Sequence, residues 1–144
     1  MAFRGTFEFT LDAKNRLTVP SRFRAAFADG VVLAIGLDGT AGVWRPEDYE
    51  AYTAEALAGL KPLSEDYRRL DRTFSHNSWD TELDGAGRVM LPPRLVQHAG
   101  LSKDVLLAGT RRCLEIWDRE AWIAYNERSL ADLPDITARL GDTA

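Results

Sequence analysis

The sequence LDAKNRLTVPSRF occupies residues 11–23 and returns, 72 positions further along the chain, as LDGAGRVMLPPRL at residues 83–95. Leucine, aspartate, arginine, proline and a second arginine recur in register, which chance repetition rarely produces. The segments that follow also correspond, with an offset that drifts by one or two residues: 31–35 with 105–109, and 42–44 with 115–117. The repeat predicts one supersecondary unit used twice. Because a unit of about 45 residues rarely buries enough apolar surface to fold alone, the two copies should pack on each other.

Each copy follows the pattern strand, turn, strand and short helix. Apolar residues alternate from Phe3 to Leu11, which predicts a half-buried strand. Residues 12–15 then turn the chain into a second strand at residues 16–19, and this arrangement predicts a β-hairpin. The two glycines within residues 84–87 favour the same turn in the second copy. A proline ends each second strand at a position suited to the start of a helix.

The sequence between and after the two copies changes from strand to helix character. Residues 31–35 form a continuous apolar run that predicts a buried strand, with residues 41–45 returning beside it. Residues 46–60 carry an apolar stripe at helical spacing, and Ser64 offers an N-cap for a second helix. The other predicted elements are a strand within residues 74–83 that contains a bulge or starts late, a helix capped by Asp118, and a fraying tail from Pro134. We therefore expect a first unit at 5–47, a helical connector at 48–75, a second unit at 76–119, and a C-terminal helix and tail at 120–144.

The bulk composition is that of a globular protein. The 144 residues have 45% hydrophobic content, which suits one compact domain or two small coupled ones. No segment approaches the roughly 18 consecutive apolar residues that span a bilayer, and the first residues lack the apolar block of a secretory signal. These features predict a cytoplasmic location. Cys113 is the single cysteine, which excludes an internal disulfide and favours a packing role over a reactive thiol.

Charge is distributed unevenly along the chain. The net charge of −4 argues against a general-purpose nucleic-acid binder, because affinity for the phosphate backbone comes largely from lysine and arginine. Residues 1–28 nevertheless hold five basic and two acidic side chains, whereas residues 47–72 hold seven acidic and four basic ones. This asymmetry suggests one face for an anionic partner, although a charge run also fits an ordinary solvated surface.

The repeated aspartates are the first candidates for chemistry. Asp12 and Asp84 each precede an arginine by four residues, a spacing that lets the carboxylate accept hydrogen bonds from the turn and pair with Arg16 or Arg88. Such pairing lowers a carboxyl pKa and makes a poor general acid. The sequence also contains no nucleophile elbow, phosphate-binding loop or metal motif. We therefore expect Asp12 and Asp84 to structure the loops, with no catalytic residue, metal, cofactor or small-molecule substrate.

Basic side chains around the two turns form the candidate DNA-binding set: Lys14, Arg16 and Arg88 in the turns, Arg4 on the adjacent strand, and Arg22 and Arg24 at the start of the following helix. An arginine at such a turn can reach a guanine edge with two hydrogen bonds, worth about 1–3 kcal/mol of discrimination, whereas lysine more readily contacts phosphate. An internal salt bridge to Asp12 or Asp84 is the alternative role for Arg16 and Arg88. Both roles can hold, because a paired guanidinium keeps spare donors.

The combination of these motifs resembles the MraZ family of bacterial transcriptional regulators. The resemblance rests on residues 3–5, the run from Leu11 to Arg24, the second copy at residues 84–88 and the segment HAGL at 98–101, and it spans nearly the full length. It implies an α+β, β-rich fold in which two pseudo-symmetric AbrB/SpoVT-type swapped-hairpin β units form one β-barrel-like core, with a helical insert and a C-terminal helix. Asn15 stands where glycine is common in the family's first turn, and asparagine also tolerates positive φ.

The resemblance also implies a function. Members of the family assemble into rings, bind repeated elements of double-stranded DNA in the promoter of the division and cell-wall gene cluster, and associate with the nucleoid. Lys14, Arg16 and Arg88 are the DNA-facing positions carried over, and the lack of a lysine in the second turn predicts unequal binding by the two units. We therefore expect a non-enzymatic, sequence-specific DNA-binding regulator that works as a homo-oligomeric ring. The alternative is an antitoxin-like protein-binding module of the same fold.

Overall fold

Strands dominate the two repeated segments of the chain, and helices dominate the segment between them and the C-terminal end. The computed structural model describes residues 2–142 as a mixed α+β, β-rich fold. The strands are β1 (Thr6–Thr10), β2 (Arg16–Thr18), β3 (Val31–Ile35), β4 (Ala41–Trp44), β5 (Ser78–Thr81), β6 (Arg88–Met90), β7 (Asp104–Gly109) and β8 (Leu114–Asp118). The helices are α1 (Ser21–Arg24), continued by a 3-10 turn at Ala25–Phe27, α2 (Pro46–Ala58), α3 (Glu65–His76), α4 (Pro93–His98), α5 (Arg119–Ala131) and α6 (Leu133–Asp142).

The strands pair as two antiparallel sheets. Six of them form one sheet in the order β1-β7-β8-β4-β3-β5, and β2 and β6 form a separate pair, here called the β2–β6 ribbon. When strands are matched by the sequence repeat, β1 with β5, β3 with β7 and β4 with β8, the order of the larger sheet is the same from either end. The register agrees, since Phe7 lies opposite Leu107 at one end and Trp79 opposite Leu33 at the other. Among residues 2–142 the strands form no closed barrel, because the ribbon meets the larger sheet through side chains.

The predicted hairpin between the first two strands is wrong, although the turn itself forms. The N–H of Asn15 donates to the carbonyl oxygen of Asp12 at 2.9 Å, which closes the turn. The strands on either side then diverge, because β1 pairs with β7 and β2 pairs with β6. Each strand therefore finds its partner in the other copy of the repeat, where both can cover one shared core.

The main core lies between the larger sheet, the β2–β6 ribbon and the short helices α1 and α4. Leu17 and Val89, which face each other in the ribbon, are both buried there. Phe3 is fully buried, with its ring 5.3 Å from that of Phe23 and 5.6 Å from that of Phe27. Aromatic pairs at such separations add to the free energy gained by burying their area. This core fixes the position of the ribbon relative to the rest of the chain.

The predicted helices of the connector are confirmed. Pro46 stands in the first turn of α2, and the Ser64 hydroxyl oxygen accepts a hydrogen bond from the N–H of Tyr67 at 3.1 Å as the N-cap of α3. Tyr49 of α2 packs on Trp44 of β4 and on Phe74 of α3. Together with Trp44 and buried residues of β3, Tyr49 forms a second, smaller apolar cluster. The strand predicted within residues 74–83 starts late, at β5, because α3 continues to His76.

The C-terminal segment is more ordered than expected. Asp118 caps α5 as predicted, accepting from the N–H of Ala121 at 3.3 Å. The fraying predicted from Pro134 is wrong for the described part of the tail, because residues 133–142 form α6. Proline is compatible with this helix since it stands in the first turn, where its missing N–H is not needed. In the described part of the chain, every helix is too short or too polar to cross a lipid bilayer.

Candidate nucleic-acid interface

The outer surface of the β2–β6 ribbon brings the two repeated arginines together. Because successive strand residues point to opposite sides, the burial of Leu17 and Val89 places their neighbours on the outer side. This outer side, called the ribbon face, consists of Arg16 and Thr18 from β2 and Arg88 and Met90 from β6. Arg16 lies opposite Met90, and Thr18 lies opposite Arg88. The two arginines are therefore diagonal neighbours, a relation in which residues lie about 7–8 Å apart and their Cβ atoms somewhat closer.

The Asp12 carboxylate binds both the backbone N–H and the side chain of Arg16. Its Oδ1 accepts from the N–H groups of Lys14 and Arg16, each at 2.9 Å. Its Oδ2 lies 2.6 Å from Arg16 Nε. This contact occupies the Nε–H and leaves the terminal amino groups of the guanidinium for another partner. The predicted salt bridge is thus confirmed, and it leaves both terminal amino groups of the Arg16 guanidinium available.

The second turn repeats this arrangement atom for atom. Asp84 Oδ1 accepts from the N–H groups of Ala86 and Arg88 at 2.9 Å each, and Asp84 Oδ2 lies 3.0 Å from Arg88 Nε. Alanine replaces lysine at the position that corresponds to Lys14, so the second turn lacks that positive charge. The two turns therefore share their geometry and differ in their charge.

The pKa of both turn aspartates is lowered. For Asp12 the principal cause is the hydrogen bond from the backbone N–H of Arg16, and for Asp84 it is the corresponding bond from Arg88. Donors that bind the ionised form favour it over the protonated form. Both carboxyl groups therefore stay ionised at neutral pH, which suits the predicted loop-structuring role and makes them poor general acids.

The two turns are locked to each other through the backbone. The N–H of Val19 donates to the carbonyl oxygen of Gly87, and the N–H of Leu91 donates to that of Asn15, both at 2.9 Å. Asn15 and Gly87 have φ values of 56° and 74°, the left-handed conformation that asparagine and glycine adopt most readily. Since the two residues correspond in the repeat, the prediction that Asn15 preserves the turn is confirmed.

Of the other predicted DNA-binding residues, Lys14 and Arg24 lie at the turns, whereas Arg4 lies at the opposite end of β1, beside Gly109. The side chains of Lys14 and Arg4 are exposed, Lys14 at the first turn and Arg4 just before β1. Arg24 donates from Nε to the carbonyl oxygen of Val19 at 3.0 Å. Its guanidinium also covers Gly87, where an added side chain would collide with it. A cation from the first copy therefore lies beside the second turn, which has no lysine of its own.

Arg22 belongs to a repeated stack that the sequence analysis missed. Its guanidinium carbon lies 5.9 Å from the ring centre of Phe7 and 5.3 Å from that of Phe23. At the corresponding place in the second copy, Arg94 lies 5.5 Å from the ring centre of Trp79. The repeat contained a signal for this pair, because both the arginines and the aromatic residues are separated by 72 positions. An arginine over an aromatic face contributes to packing through its cation–π attraction.

Three further titratable side chains, Tyr52, Cys113 and Glu115, line a cavity that shares no residue with the two turns, and burial raises the pKa of each. Cys113 is buried, and burial raises the pKa of its thiol to about 11. His98 Nε2 lies 3.3 Å from the carbonyl oxygen of Gly36, while His76 is at the last turn of α3. Within residues 2–142, no three or more histidine, cysteine, aspartate and glutamate side chains are grouped so that they could hold a metal ion. The ribbon face and its flanking cations are thus the best-defined candidate site.

Comparison with known proteins gives consistent matches over the whole chain. A family profile described as "MraZ protein, putative antitoxin-like" matches residues 2–72 and 76–143. A transcriptional regulator MraZ of Lachnoclostridium phytofermentans is 34% identical over 139 residues, covering 96% of this chain and 97% of the relative. The MraZ regulator of Heliobacterium modesticaldum is 34% identical over 140 residues, with 97% of each chain covered. That of Azotobacter vinelandii is 37% identical over 145 residues, covering 97% of this chain and 93% of the relative.

Proposed function

Because the chain belongs to the MraZ family, we propose that it is a sequence-specific DNA-binding transcriptional regulator that reads DNA with the ribbon face. It is not an enzyme in this proposal. The observation that carries the proposal is the placement of Arg16 and Arg88 on one outer face, each held by its own aspartate. The names of the relatives support regulation of transcription, and the geometry of the face supports the mode of DNA recognition.

A two-stranded β-ribbon has the dimensions that the major groove of B-DNA admits, about 12 Å wide. In the proposed complex the ribbon face enters the groove and each arginine donates from its terminal amino groups to O6 and N7 of a guanine. Asp12 and Asp84 restrict the rotamers of Arg16 and Arg88 before binding, which reduces the conformational entropy lost on forming the complex. The aspartates act through the arginines and make no base contact themselves.

Phosphate contacts come from the cations around the ribbon face. Lys14 supplies a phosphate contact at the first turn, and Arg24, which covers Gly87, supplies one at the second. Arg4 and Arg22 are exposed outside the two turns and are assigned to more distant phosphates. Such contacts position the protein on the duplex without reading its sequence. Lys14 is part of the first turn, whereas Arg24 reaches the second turn from the helix of the other copy. Because the two cations are held differently, the two turns are expected to bind DNA unequally.

The two turns are part of a pseudo-symmetric fold in this proposal. Residues 5–47 and 76–119 form AbrB/SpoVT-type units that exchange their hairpin strands, joined by the connector at 48–75 and followed by the C-terminal segment at 120–144. Support comes from the palindromic strand order of the larger sheet and from the reciprocal bonds between the turns. The pseudo-twofold axis passes between Leu17 and Val89, which pair in the middle of the ribbon.

Several copies of the chain cooperate on the DNA. With a net charge of −4 and few cations at each ribbon face, a single subunit has little affinity for DNA at cellular salt. A ring of subunits that meets repeated DNA elements gains affinity through effective concentration, without any new contact. We assign the target to repeated elements in the promoter of the division and cell-wall gene cluster, and the location to the cytoplasm at the nucleoid.

The proposal is tested by a mobility-shift titration on the region upstream of the chain's own gene, at several salt concentrations. We expect a shifted complex whose association constant falls steeply with salt, and no complex on unrelated DNA of equal length. Equal binding to both duplexes, or to neither, would contradict sequence-specific recognition. Light scattering on the free protein, run in parallel, tests the ring separately.

The second candidate function is an antitoxin-like module that binds a protein. It is favoured by the family description and by the exposed apolar side chains of α5 and α6, such as Ile123, Leu130 and Leu133. In that case, substitutions on the apolar side of these helices would abolish regulation, while Arg16→Ala would leave it unchanged. A reporter gene placed behind the upstream region distinguishes the two functions.

A further inference from the structure

Met90 is the most unusual side chain of the ribbon face. Of the large apolar side chains that are exposed in residues 2–142, it is the one that belongs to a strand, and it is 57% exposed. Its neighbour Val89 is buried, so the exposure follows from the alternation of the strand and not from local disorder. At one end of an otherwise polar, cationic face, this apolar side chain is more than half exposed and is therefore available for contact with a partner.

Met90 lies directly opposite Arg16 in the ribbon. In the second half of the face, Arg88 lies opposite Thr18, and Thr18 and Met90 occupy corresponding positions of the repeat. The face therefore presents two similar pairs, arginine with methionine and arginine with threonine. Side chains that face each other on adjacent strands have Cβ atoms about 4.5–5.5 Å apart. This separation is about that of one or two base-pair steps, each about 3.4 Å along the duplex.

We infer that Met90 is a specificity-determining residue that contacts the C5-methyl group of a thymine next to the guanine read by Arg16. This inference rests on the proposed function. In the major groove only thymine presents a methyl group, and apolar side chains recognise it by contact. A flexible thioether can adapt to this group more readily than a branched side chain. Thr18 is shorter and carries a hydroxyl group, so the half of the site read by Arg88 and Thr18 has a different requirement.

The test begins with selection of duplexes from a random library by the full-length protein. Each thymine in an enriched duplex is then replaced singly by deoxyuridine, which removes only the methyl group. We expect one replacement to weaken wild-type binding about fourfold, the factor that corresponds to about 0.8 kcal/mol for one buried methyl group. The Met90→Ser variant, which has no apolar group long enough to replace the thioether and no methyl group, should bind the thymine and deoxyuridine duplexes equally.

The matched control is Thr18→Met at the corresponding position of the repeat. It should keep the sensitivity to the original thymine, because Met90 is unchanged. Both variants alter an outward-facing strand residue, and their thermal unfolding should match that of the wild type. Wild-type binding that is indifferent to every deoxyuridine, or a Met90→Ser variant that keeps the fourfold loss, would overturn the inference. Failure of the wild type to enrich any sequence would instead overturn the proposed function on which it rests.

Discussion

The N–H of Leu91 donates a hydrogen bond of 2.9 Å to the carbonyl oxygen of Asn15, so the end of one ribbon strand holds the turn that precedes the other. Val19 and Gly87 make the reciprocal bond at the same distance. Each arginine-bearing turn is therefore fixed by the other copy of the repeat. The ribbon face exists only when both copies have folded together.

The lowered pKa of Asp12 and Asp84 predicts a specific dependence of stability on pH. A carboxyl group whose pKa is lower in the folded chain than its ordinary value of 3.8 stabilises the fold above that value. This stabilisation is lost as the pH falls through the lowered folded pKa. A variant with both aspartates changed to asparagine should melt below the wild type at pH 7, and the difference should shrink near pH 3. Thermal unfolding followed by circular dichroism measures both, and a difference that does not change with pH would refute the assignment.

Gly109 is predicted to tolerate no side chain. A Cβ there would lie 2.5 Å from backbone atoms of Phe3 and Arg4, which are held by the bridge between Phe3 and Arg111. Gly109→Ala should therefore lower the free energy of unfolding by about 1–3 kcal/mol through overpacking. Gly85→Ala is the control, because nothing lies within 4 Å of a Cβ at that position, and it should change the stability by less than about 0.5 kcal/mol. Urea unfolding compares the two, and equal effects would show that the N-terminal segment is free to move.

The elements that local patterns specify could be predicted from the sequence. Pro46 and Ser64 mark the starts of the connector helices, and Gly100, with φ of 59°, follows the end of α4 in the conformation that glycine adopts most readily. Strand pairing could not be predicted in this way, because a turn signal reports only that the chain reverses. Whether β1 pairs with β2 or with β7 depends on which choice buries more of both strands, and this involves residues about 100 positions apart.

Cys113 is predicted to be unreactive in the folded chain. Burial raises its thiol pKa to about 11, so only about one thiol in a thousand is ionised at pH 8. Iodoacetamide should leave the native protein unlabelled over a time in which it fully alkylates the protein in urea, as followed by mass spectrometry. Rapid native labelling would mean that the region around β8 opens locally.

A comparison of Arg22→Ala with Arg94→Ala distinguishes a role in packing from a contact with DNA. Each arginine stacks on an aromatic ring at corresponding positions of the repeat, so Arg22→Ala should cost about 0.5–1 kcal/mol of stability. Arg94→Ala should cost more, because Arg94 also donates hydrogen bonds to the carbonyl oxygen of His76 and to Asn77 Oδ1. Only Arg22 belongs to the candidate DNA-binding set. Arg22→Ala should therefore reduce the salt dependence of DNA binding by about one unit of slope, and Arg94→Ala should leave it unchanged. Identical slopes for both variants and the wild type would assign Arg22 to packing alone.

The site was only partly predictable from the sequence. The spacing of Asp12 and Arg16 contained enough information to predict their salt bridge, because the contact is local. The place of Arg24 beside Gly87 was not predictable, since it brings together residues from different copies. The diagonal relation of Arg16 and Arg88 likewise depends on the pairing of β2 with β6. Non-local strand pairing therefore explains both the missed contacts and the arrangement of the ribbon face.

We propose that Arg16 reads DNA and that other residues maintain the fold and the assembly. The most direct measurement is the affinity of Arg16→Ala for the upstream duplex, taken together with its mass in solution and its unfolding temperature. We predict that specific binding is lost, while the mass and the near-native unfolding temperature are retained, because the guanidinium lies on the outer face and only its Nε contacts Asp12. Undiminished binding by this variant would contradict the account and move recognition away from the ribbon face.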